Sequence, residues 1–147
     1  MVMAGGIEMM SRVPMLSDKA AIWTDLNIAI KSRIFMMGSG ADLIGSLNQI
    51  SRKDADRQAF NSQQNAAQAQ RNGYFKSIVP VINPQKDFVC AEDECIRAET
   101  TIENLSSLNP SFEELGKNGV DDLQLKHFPQ LTEIAHTHTA GNSPAMS

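Results

Sequence analysis

The sequence has few aromatic residues, two cysteines, no excess of positive charge and no long apolar run. Aromatic residues make up 5% of its 147 residues, so a core must rest on aliphatic side chains and Met. A net charge of −4 argues against a nucleic-acid-binding surface, which needs clustered basic residues. No run approaches the roughly 18 apolar residues that span a bilayer. Nucleic-acid-binding and membrane-spanning proteins are therefore disfavoured.

The two cysteines, Cys90 and Cys95, are too few for a disulfide scaffold and fit a reducing compartment. The first residues, Met-Val-Met-Ala-Gly-Gly, lack the basic segment and long apolar stretch of a secretory signal. With 41% hydrophobic and 20% charged residues, the composition is typical of globular proteins. We therefore expect a cytoplasmic protein, or a mitochondrial or peroxisomal one if the source is eukaryotic.

The clearest predicted element is a helix over Arg52–Arg71, a stretch rich in Ala, Gln and Arg. Ser51, followed three residues later by Asp54, resembles a capping box, and Asn72-Gly73 supplies a C-terminal stop. Small side chains recur along it at intervals of three and four residues, forming a stripe that permits close approach of a neighbouring element. The stripe consists of Ala55, Ala59, Ser62, Ala66 and Ala69.

Shorter elements are predicted from apolar spacing and turn residues. Between residues 18 and 37, helical and strand-like spacings coexist, and both remain open. Residues 113–133 are polar and favour loops. The other predicted elements are a strand end at 1–6, strands at 77–82, 88–91 and 134–139, and helices at 41–48 and 100–108.

Four short blocks occur in an order that matches one known enzyme family. The first is AGGIEMMS at 4–11, and the second runs from SRKDADRQAF at 51–60 through SQ, GYF and IVP to residue 80. The third is DECIR at 93–97, followed by PSF at 110–112, and the fourth is TAGNS at 139–143. Together these blocks resemble the thiolase family, whose patterns include AGG-x-E-x-MS, SRE-x-QD-x-FA, DE-x-IR and TAGN-S.

The resemblance implies an α/β thiolase fold, in which two similar halves form the subunit and a loop domain is inserted in the first half. Residues 1–16 would end the core of that first half, and 17–134 would form the loop domain, which is mostly helical α+β. Residues 135–147 would return to the core, leaving a core strand remnant at each end. The chain is thus expected to be an internal fragment.

The same resemblance implies acyl transfer between an enzyme cysteine and coenzyme A, making or cleaving a 3-oxoacyl-CoA. Coenzyme A and acyl-CoA are then substrates, with no tightly bound cofactor, and full-length members form dimers or tetramers. The family's nucleophilic Cys, its His and its second Cys would lie outside this chain, so no catalytic residue is assigned. The isolated chain is expected to be inactive and to bind coenzyme A weakly or not at all. The alternative is a truncated product that acts only in oligomer association.

Arg97 matches an arginine that meets the nucleotide end of coenzyme A in the family. A guanidinium suits this role because its planar fork pairs with phosphate and stacks on adenine. The alternative is a surface ion pair with Glu94 or Glu99, a common arrangement for an exposed arginine.

Five further residues match ligand-contacting positions of the family. Ser111 and Phe112 match the adenine and pantetheine channel, and Met37 matches the acyl pocket, where a flexible Met can repack around different chains. Ala140 matches a backbone approach to the pantetheine. Asn104 stands at a position that contacts coenzyme A, where Ser is common. For Phe112 and Met37 the alternative is ordinary core packing.

His136 and His138 would share one face of a strand, as a metal pair requires. Further ligands would have to come from His127, Cys90 or Cys95, whose spacing matches no known metal motif. We therefore favour packed or solvated histidines and assign no metal ligand.

Gly38-Ser39-Gly40 precedes the helix predicted at 41–48, where backbone N–H groups can hold a phosphate. No Lys-Ser or Lys-Thr follows it, so a nucleotide-binding P-loop is not supported.

Overall fold

The structure, a computed structural model, describes residues 3, 5, 11–14, 16–32, 36–83 and 88–144. It contains two units, Met1–Met36 and Met37–Ser147. All six predicted ligand-contacting residues belong to the second unit. The predicted strand end at 1–6 and the first sequence block lie largely outside the described residues.

The first unit contains two short helices, α1 (Ala21–Thr24) and α2 (Leu26–Ser32). The Asp25 carboxylate accepts hydrogen bonds from the Asn27 and Ile28 amides, 2.9 and 3.3 Å away. An acidic side chain that accepts the first free amides of a helix favours its start. Of the ambiguous stretch between residues 18 and 37, the described residues 21–24 and 26–32 are thus helical, and no described residue of it forms a strand.

Helix α3 spans Met37–Leu47 and begins four residues before the predicted start at residue 41. Its first turn contains the Gly38-Ser39-Gly40 tripeptide, which has low intrinsic helix propensity. A Cβ atom at Gly38 would lie 2.0 Å from two ring carbons of Phe112. The close approach of this aromatic ring therefore requires glycine at the position, and packing overrides local propensity.

The predicted helix at Arg52–Arg71 is confirmed and is α4. The Asp54 amide donates to the Ser51 Oγ at 3.2 Å, and the Ser51 amide donates to the Asp54 carboxylate at 3.2 Å, completing the capping box. At the other end Asn72 is the C-cap, and Gly73 has a φ of +65°, which glycine adopts at little cost. All signals for this helix lie within its own sequence.

The predicted strand pair is confirmed but is shorter, with β1 at Val81–Asn83 and β2 at Phe88–Cys90. The strands are antiparallel, and Ile82 lies opposite Val89. Pro80 directly precedes β1; because proline has no N–H to donate, it suits the edge of a ladder and not its interior.

Helix α5 (Ile102–Ser106) lies within the stretch predicted at 100–108. The predicted loop over 113–133 is wrong for residues 113–127, where α6 (Glu113–Leu115) and α7 (Asp121–His127) are connected through Gly116–Val120, with a kink at Asn118 and Gly119. Residues 128–133 form no helix or strand, as predicted. Gly119 has a φ of +106°, which lets the chain bend between the two helices. Acidic residues lie in the first turns of α6 and α7, where the partial positive charge of a helix N-terminus attracts carboxylates.

The predicted strand at 134–139 is also wrong, since these described residues join no ladder. The Thr137 and His138 amides instead donate to the Asp42 carboxylate, at 3.0 and 3.2 Å. A side chain from α3 thus takes the place of a neighbouring strand. Residues 135–144, the described part of the expected return to the core, form no strand, whereas the strand remnant expected at the other end falls largely outside the described residues.

Buried polar side chains are prominent in the described structure. The buried apolar residues are Ala67, Leu105, Val120 and Ile134, and the buried polar ones are Ser39, Asp42, Asp56, Gln124, Thr137 and Thr139. Several large apolar side chains are exposed, including Val79, Val81 and Ile82. No described helix is both long and apolar enough to cross a membrane. The helices and the two-stranded sheet are compatible with a piece of an α/β fold.

Candidate functional site

A groove of about 830 Å³ runs along α4. Four residues of the predicted small-residue stripe line it, namely Ala55, Ala59, Ser62 and Ala66. The opposite walls come from residues 93–97 and from His138 and 141–144, which bring the third and fourth sequence blocks to the second. The small side chains therefore face open space here, although the stripe predicted close contact with a neighbouring element.

Arg97 lies in the wall of this groove, in the segment between β2 and α5. Its backbone amide donates to the Gln63 side-chain oxygen of α4 at 2.7 Å. Gln64, the next residue of α4, donates from its side chain to the Ala98 carbonyl at 3.0 Å. The Arg97 guanidinium is exposed and forms no ion pair within the described part of the chain, so the alternative pairing with Glu94 or Glu99 is not seen.

Three acidic side chains also line the groove, and two of them are engaged with nearby backbone. Asp54 belongs to the capping box, and the hydrogen bond from the Ser51 side chain is the main reason its pKa is lowered. Asp93 accepts a hydrogen bond from the Cys95 amide at 2.8 Å. Among the described lining residues, Arg97 carries the permanent positive charge that can pair with an anionic ligand, and the three carboxylates oppose that attraction.

Met37, Ser111 and Phe112 come together near the start of α3. The Phe112 ring lies against Gly38, next to Met37, whose side chain is 92% exposed. The Ser111 amide donates to the His138 carbonyl at 2.9 Å, which ties this corner to the segment that forms the groove wall. These three predicted residues are thus neighbours, but they do not line the groove that contains Arg97.

Asn104 and Ala140 are both exposed and also lie outside the groove lining. The Asn104 amide donates to the Thr101 Oγ at 3.1 Å, which caps α5, and the Asn104 side chain forms no hydrogen bond with other described residues. Ala140 directly precedes Gly141, which does line the groove. The structure therefore places the predicted ligand-contacting residues in separate patches of one unit.

A cluster of acid and histidine side chains around the buried Asp42 was not predicted from the sequence. Asp42 is 0% exposed and receives hydrogen bonds from the rings of His136 and His138 at 3.0 and 2.7 Å, besides those from the two backbone amides. The other ring nitrogen of His136 lies 2.9 Å from the Asp121 carboxylate. We call Asp42, Asp121, His136 and His138 the Asp42 cluster. A clue was available: Asp42 is the one acidic residue of α3 and lies next to the apolar Leu43 and Ile44.

The cluster favours the protonated form of His136. Burial of the ring lowers the pKa of His136, but its hydrogen bonds and charge attractions with Asp42 and Asp121 outweigh burial, so the pKa is raised above its ordinary value of 6.5. A neutral imidazole has one N–H and can donate to one of the two carboxylates only. The geometry on both sides of the ring therefore fits an imidazolium.

Asn142, in the TAGNS block, connects the groove wall to α4. Its side-chain amide donates to the Asp56 carboxylate and to the Thr137 carbonyl, both at 2.9 Å, and its oxygen accepts from the Thr139 amide at 2.8 Å. Asp56 is also paired with Arg52 at 2.8 Å. The role of Asn142 in setting this conformation was missed because one of its partners, Asp56, lies 86 residues away in sequence.

The His136–His138 metal pair that was considered gains no further ligands. Both rings face the Asp42 carboxylate, and no group of three or more His, Cys, Asp or Glu among the described side chains could hold a metal ion. Cys90 and Cys95 are free thiols.

Comparison with known proteins matches residues 1–119 to the family model described as "Thiolase, N-terminal domain". This range contains the first three sequence blocks and ends before the fourth.

Curated relatives give a similar result. A "Probable acetyl-CoA acyltransferase" of Staphylococcus epidermidis is 37% identical over 131 residues, covering 78% of this chain and 33% of the relative. A "Beta-ketoadipyl-CoA thiolase" of Pseudomonas putida is 36% identical over 129 residues, covering 75% of this chain and 32% of the relative. The corresponding enzyme of Acinetobacter baylyi is also 36% identical, over 128 residues, covering 74% of this chain and 32% of the relative. The chain spans about a third of the length of these relatives.

Proposed function

The chain belongs to the thiolase family, and on this premise we propose that it forms the coenzyme-A-facing part of an acyltransferase. The proposed reaction transfers an acyl group between an enzyme cysteine and coenzyme A, in thiolysis of a 3-oxoacyl-CoA or in its reverse. The names of the relatives, which include an acetyl-CoA acyltransferase and a β-ketoadipyl-CoA thiolase, support acyl-CoA compounds as the substrate class. The Met-Met-Gly sequence at 36–38 resembles that of degradative members and favours a role in fatty-acid or related oxidation.

The observation that carries this proposal is the position of Arg97. Its guanidinium lies in the wall of the groove along α4 without an ion-pair partner among the described residues. An unpaired guanidinium keeps its donors available for the phosphates of coenzyme A, and its plane can stack on the adenine. The small side chains on the floor leave room for a planar base.

The other five predicted residues would contact the substrate without taking part in the reaction. Phe112 and Met37 offer apolar contacts to the pantetheine and acyl portions, and the exposed Met37 side chain is free to adapt to different acyl chains. Ser111 and Asn104 offer polar side chains, and Ala140 offers a small one next to the groove wall. No nucleophile or general base is assigned to this chain, so these residues bind and orient a substrate whose reaction needs residues elsewhere.

The test removes the Arg97 charge and measures coenzyme A binding by NMR titration, a method that detects the weak binding expected of this chain. Arg97→Ala is expected to weaken binding by roughly tenfold to a hundredfold, since a charged hydrogen bond contributes about 1.5–3 kcal/mol. Arg97→Lys should retain part of the affinity because it keeps the charge without the planar fork. Arg71→Ala, which changes an exposed arginine of α4 outside the groove lining, is the matched control. Equal affinity for all four proteins would contradict the proposal.

The chain alone is expected to show no thiolysis. Mixed with acetoacetyl-CoA and coenzyme A, it should form acetyl-CoA no faster than buffer does, because acyl transfer needs a thiolate nucleophile and a base. Chromatographic detection of acetyl-CoA above that background would show that the catalytic assignment is wrong.

A second candidate function, association with other copies or with intact subunits, is favoured by exposed apolar side chains around β1. Val79, Val81 and Ile82 are 81%, 66% and 64% exposed. Apolar residues grouped in this way are typical of interaction surfaces. Ile82→Lys should reduce any concentration-dependent mass seen by light scattering, and an unchanged mass profile would exclude this surface.

A further inference from the structure

The Asp42 carboxylate has no role in the proposed coenzyme A site, yet it is fully buried and accepts four hydrogen bonds from residues 136–138. Two come from the backbone amides of Thr137 and His138, and two from imidazole rings. A buried carboxylate is expensive to desolvate and is retained only when its partners compensate for the lost water. This concentration of partners on one side chain fixes both the backbone path and the ring orientations of the segment.

The segment that Asp42 holds continues directly into the wall of the groove. His138 lines the groove itself, as do residues 141–144. Between them, Thr139 is fully buried and its amide donates to the Asn142 side chain at 2.8 Å. A displacement at Thr137 or His138 is therefore transmitted to the groove wall within a few residues.

His136 connects Asp42 of α3 to Asp121 of α7, with 3.0 and 2.9 Å contacts on its two ring nitrogens. When the ring is protonated, both nitrogens donate and both carboxylates are satisfied. When the ring is neutral, one nitrogen turns a lone pair toward a carboxylate, and that contact becomes repulsive. Both carboxylates therefore accept a hydrogen bond from His136 only when the ring is protonated.

We propose that Asp42 is a positioning residue that holds the groove wall in place through residues 136–138, and that the wall is ordered when His136 carries a proton and loosens when it loses it. This inference depends on the proposed function in one respect only, which is that the groove is taken as the coenzyme A site. The order of the wall itself is measurable without any ligand.

The charged groups around His136 set the direction of the pH effect. Asp42 and Asp121 face its ring, and Glu113 of α6 is close enough for the His136 charge to lower the pKa of Glu113, although the hydrogen bond from Lys117 is the larger cause. Lys117 is paired with Glu113 at 2.8 Å, and this pairing satisfies its charge. His138, the other ring on Asp42, completes the set.

The sign of the effect follows from the raised pKa of His136. A group whose folded-state pKa is raised stabilises the fold fully below its unfolded value, here 6.5, and loses this contribution as pH rises through the folded value. The ordered wall is therefore favoured at mildly acidic pH and weakened in mildly alkaline solution.

The decisive experiment uses the unmodified chain. NMR titration of the histidine ring signals from about pH 5.5 to 9 would follow the protonation of His136, while hydrogen exchange measures protection of the Thr137 and His138 amides. His136 is expected to titrate above 6.5, and protection of both amides, corrected for intrinsic exchange, should fall about tenfold across that titration. A His136 titration at or below 6.5, or protection that does not change with pH, would overturn the proposal.

Substitutions at Asp42 and Gly116 separate the contributions of the Asp42 and Asp121 carboxylates. Asp42→Asn should abolish the pH dependence of protection, whereas Asp122→Asn, which removes an exposed acid next to Asp121, should leave it unchanged. If Asp42→Asn does not fold, Gly116→Ala provides a milder variant, because a Cβ there would lie 2.5 Å from both Asp121 carboxylate oxygens and displace them. Gly116→Ala should lower the His136 pKa, and an unaltered titration curve would contradict the role of Asp121.

The Arg97→Ala variant keeps the two proposals separate. It should weaken coenzyme A binding while the pH dependence of amide protection stays as in the unmodified chain. Failure of the binding experiment would thus leave the positioning role of Asp42 intact, and failure of the exchange experiment would leave the role of Arg97 intact.

Discussion

Helix α4 and the segment at residues 134–144 are stabilised in opposite ways. In α4, the cap, the helix-forming residues and the C-terminal stop all lie within about 20 residues of one another. The 134–144 segment has no regular structure, and its conformation depends on Asp42, whose partners are 94 to 96 residues away, and on Asp56, 86 residues from Asn142. The first region is determined locally and the second by a few long-range polar contacts, so substitutions should affect the two regions very differently.

The largest effect is expected from Asp42→Asn. The amide keeps the size of the side chain but removes the charge that four donors face, and breaking a buried ionic arrangement costs on the order of 3 kcal/mol. Urea unfolding monitored by circular dichroism gives the free-energy change, with Asp122→Asn expected within about 0.5 kcal/mol of the unmodified chain. A loss for Asp42→Asn as small as that of the control would remove the contrast between the two regions.

The next largest effect is expected from alanine substitutions at two glycines of α3, which should change stability in opposite directions. Gly38→Ala would place a Cβ 2.0 Å from the Phe112 ring and should destabilise by about 2 kcal/mol through overpacking. Gly40→Ala meets no atom within 4 Å and should stabilise by about 0.5–1 kcal/mol, because alanine is the better helix former. Thermal unfolding of the two variants should shift in opposite directions, and equal shifts would show that the Phe112 contact is not rigid.

A smaller effect on stability is expected in α4, the region whose structure is determined locally. Ser51→Ala removes the cap hydroxyl that accepts from the Asp54 amide and should cost about 1 kcal/mol. Asn61→Ala, an exposed position in the middle of α4, is the control and should not destabilise. Hydrogen exchange should show the Ser51→Ala effect in the first turn of α4 and not at Thr137 or His138.

The smallest effects concern pH, and they have opposite signs in the two regions. The pKa of Asp54 is lowered by hydrogen bonds from Ser51, so the α4 cap contributes above the ordinary value of 3.8 and weakens as pH falls through the lowered value. The Asp42 cluster weakens instead as pH rises past 6.5. Carboxyl and histidine NMR titrations on one sample test both, and loss of both regions on the same side of neutrality would refute the comparison.

The same contrast explains which features the sequence predicts. Arg52–Arg71 and the paired strands follow from caps, stops and alternation within a few residues. The helices over 113–127 were missed because Gly116 and Gly119 suggest loops, although Gly119 supplies the bend and Gly116 leaves space for the Asp121 carboxylate. Arg97 was proposed from a family motif, whereas Asp42 contacts the 136–138 segment and Asn142 contacts Asp56 across 86 residues or more, a distance that no local pattern reveals.

The polar character of the described interior also affects how the protein responds to temperature. The heat-capacity change of unfolding comes chiefly from apolar surface, and hydration of exposed polar groups reduces it. The buried apolar side chains among the described residues are those of Ala67, Leu105, Val120 and Ile134, while six described polar residues are also buried. Calorimetry should therefore give a heat-capacity change per residue below the roughly 12–15 cal/mol/K of ordinary globular domains. The resulting stability curve is broad and shallow, so that moderate cooling or warming changes the folded population only slightly.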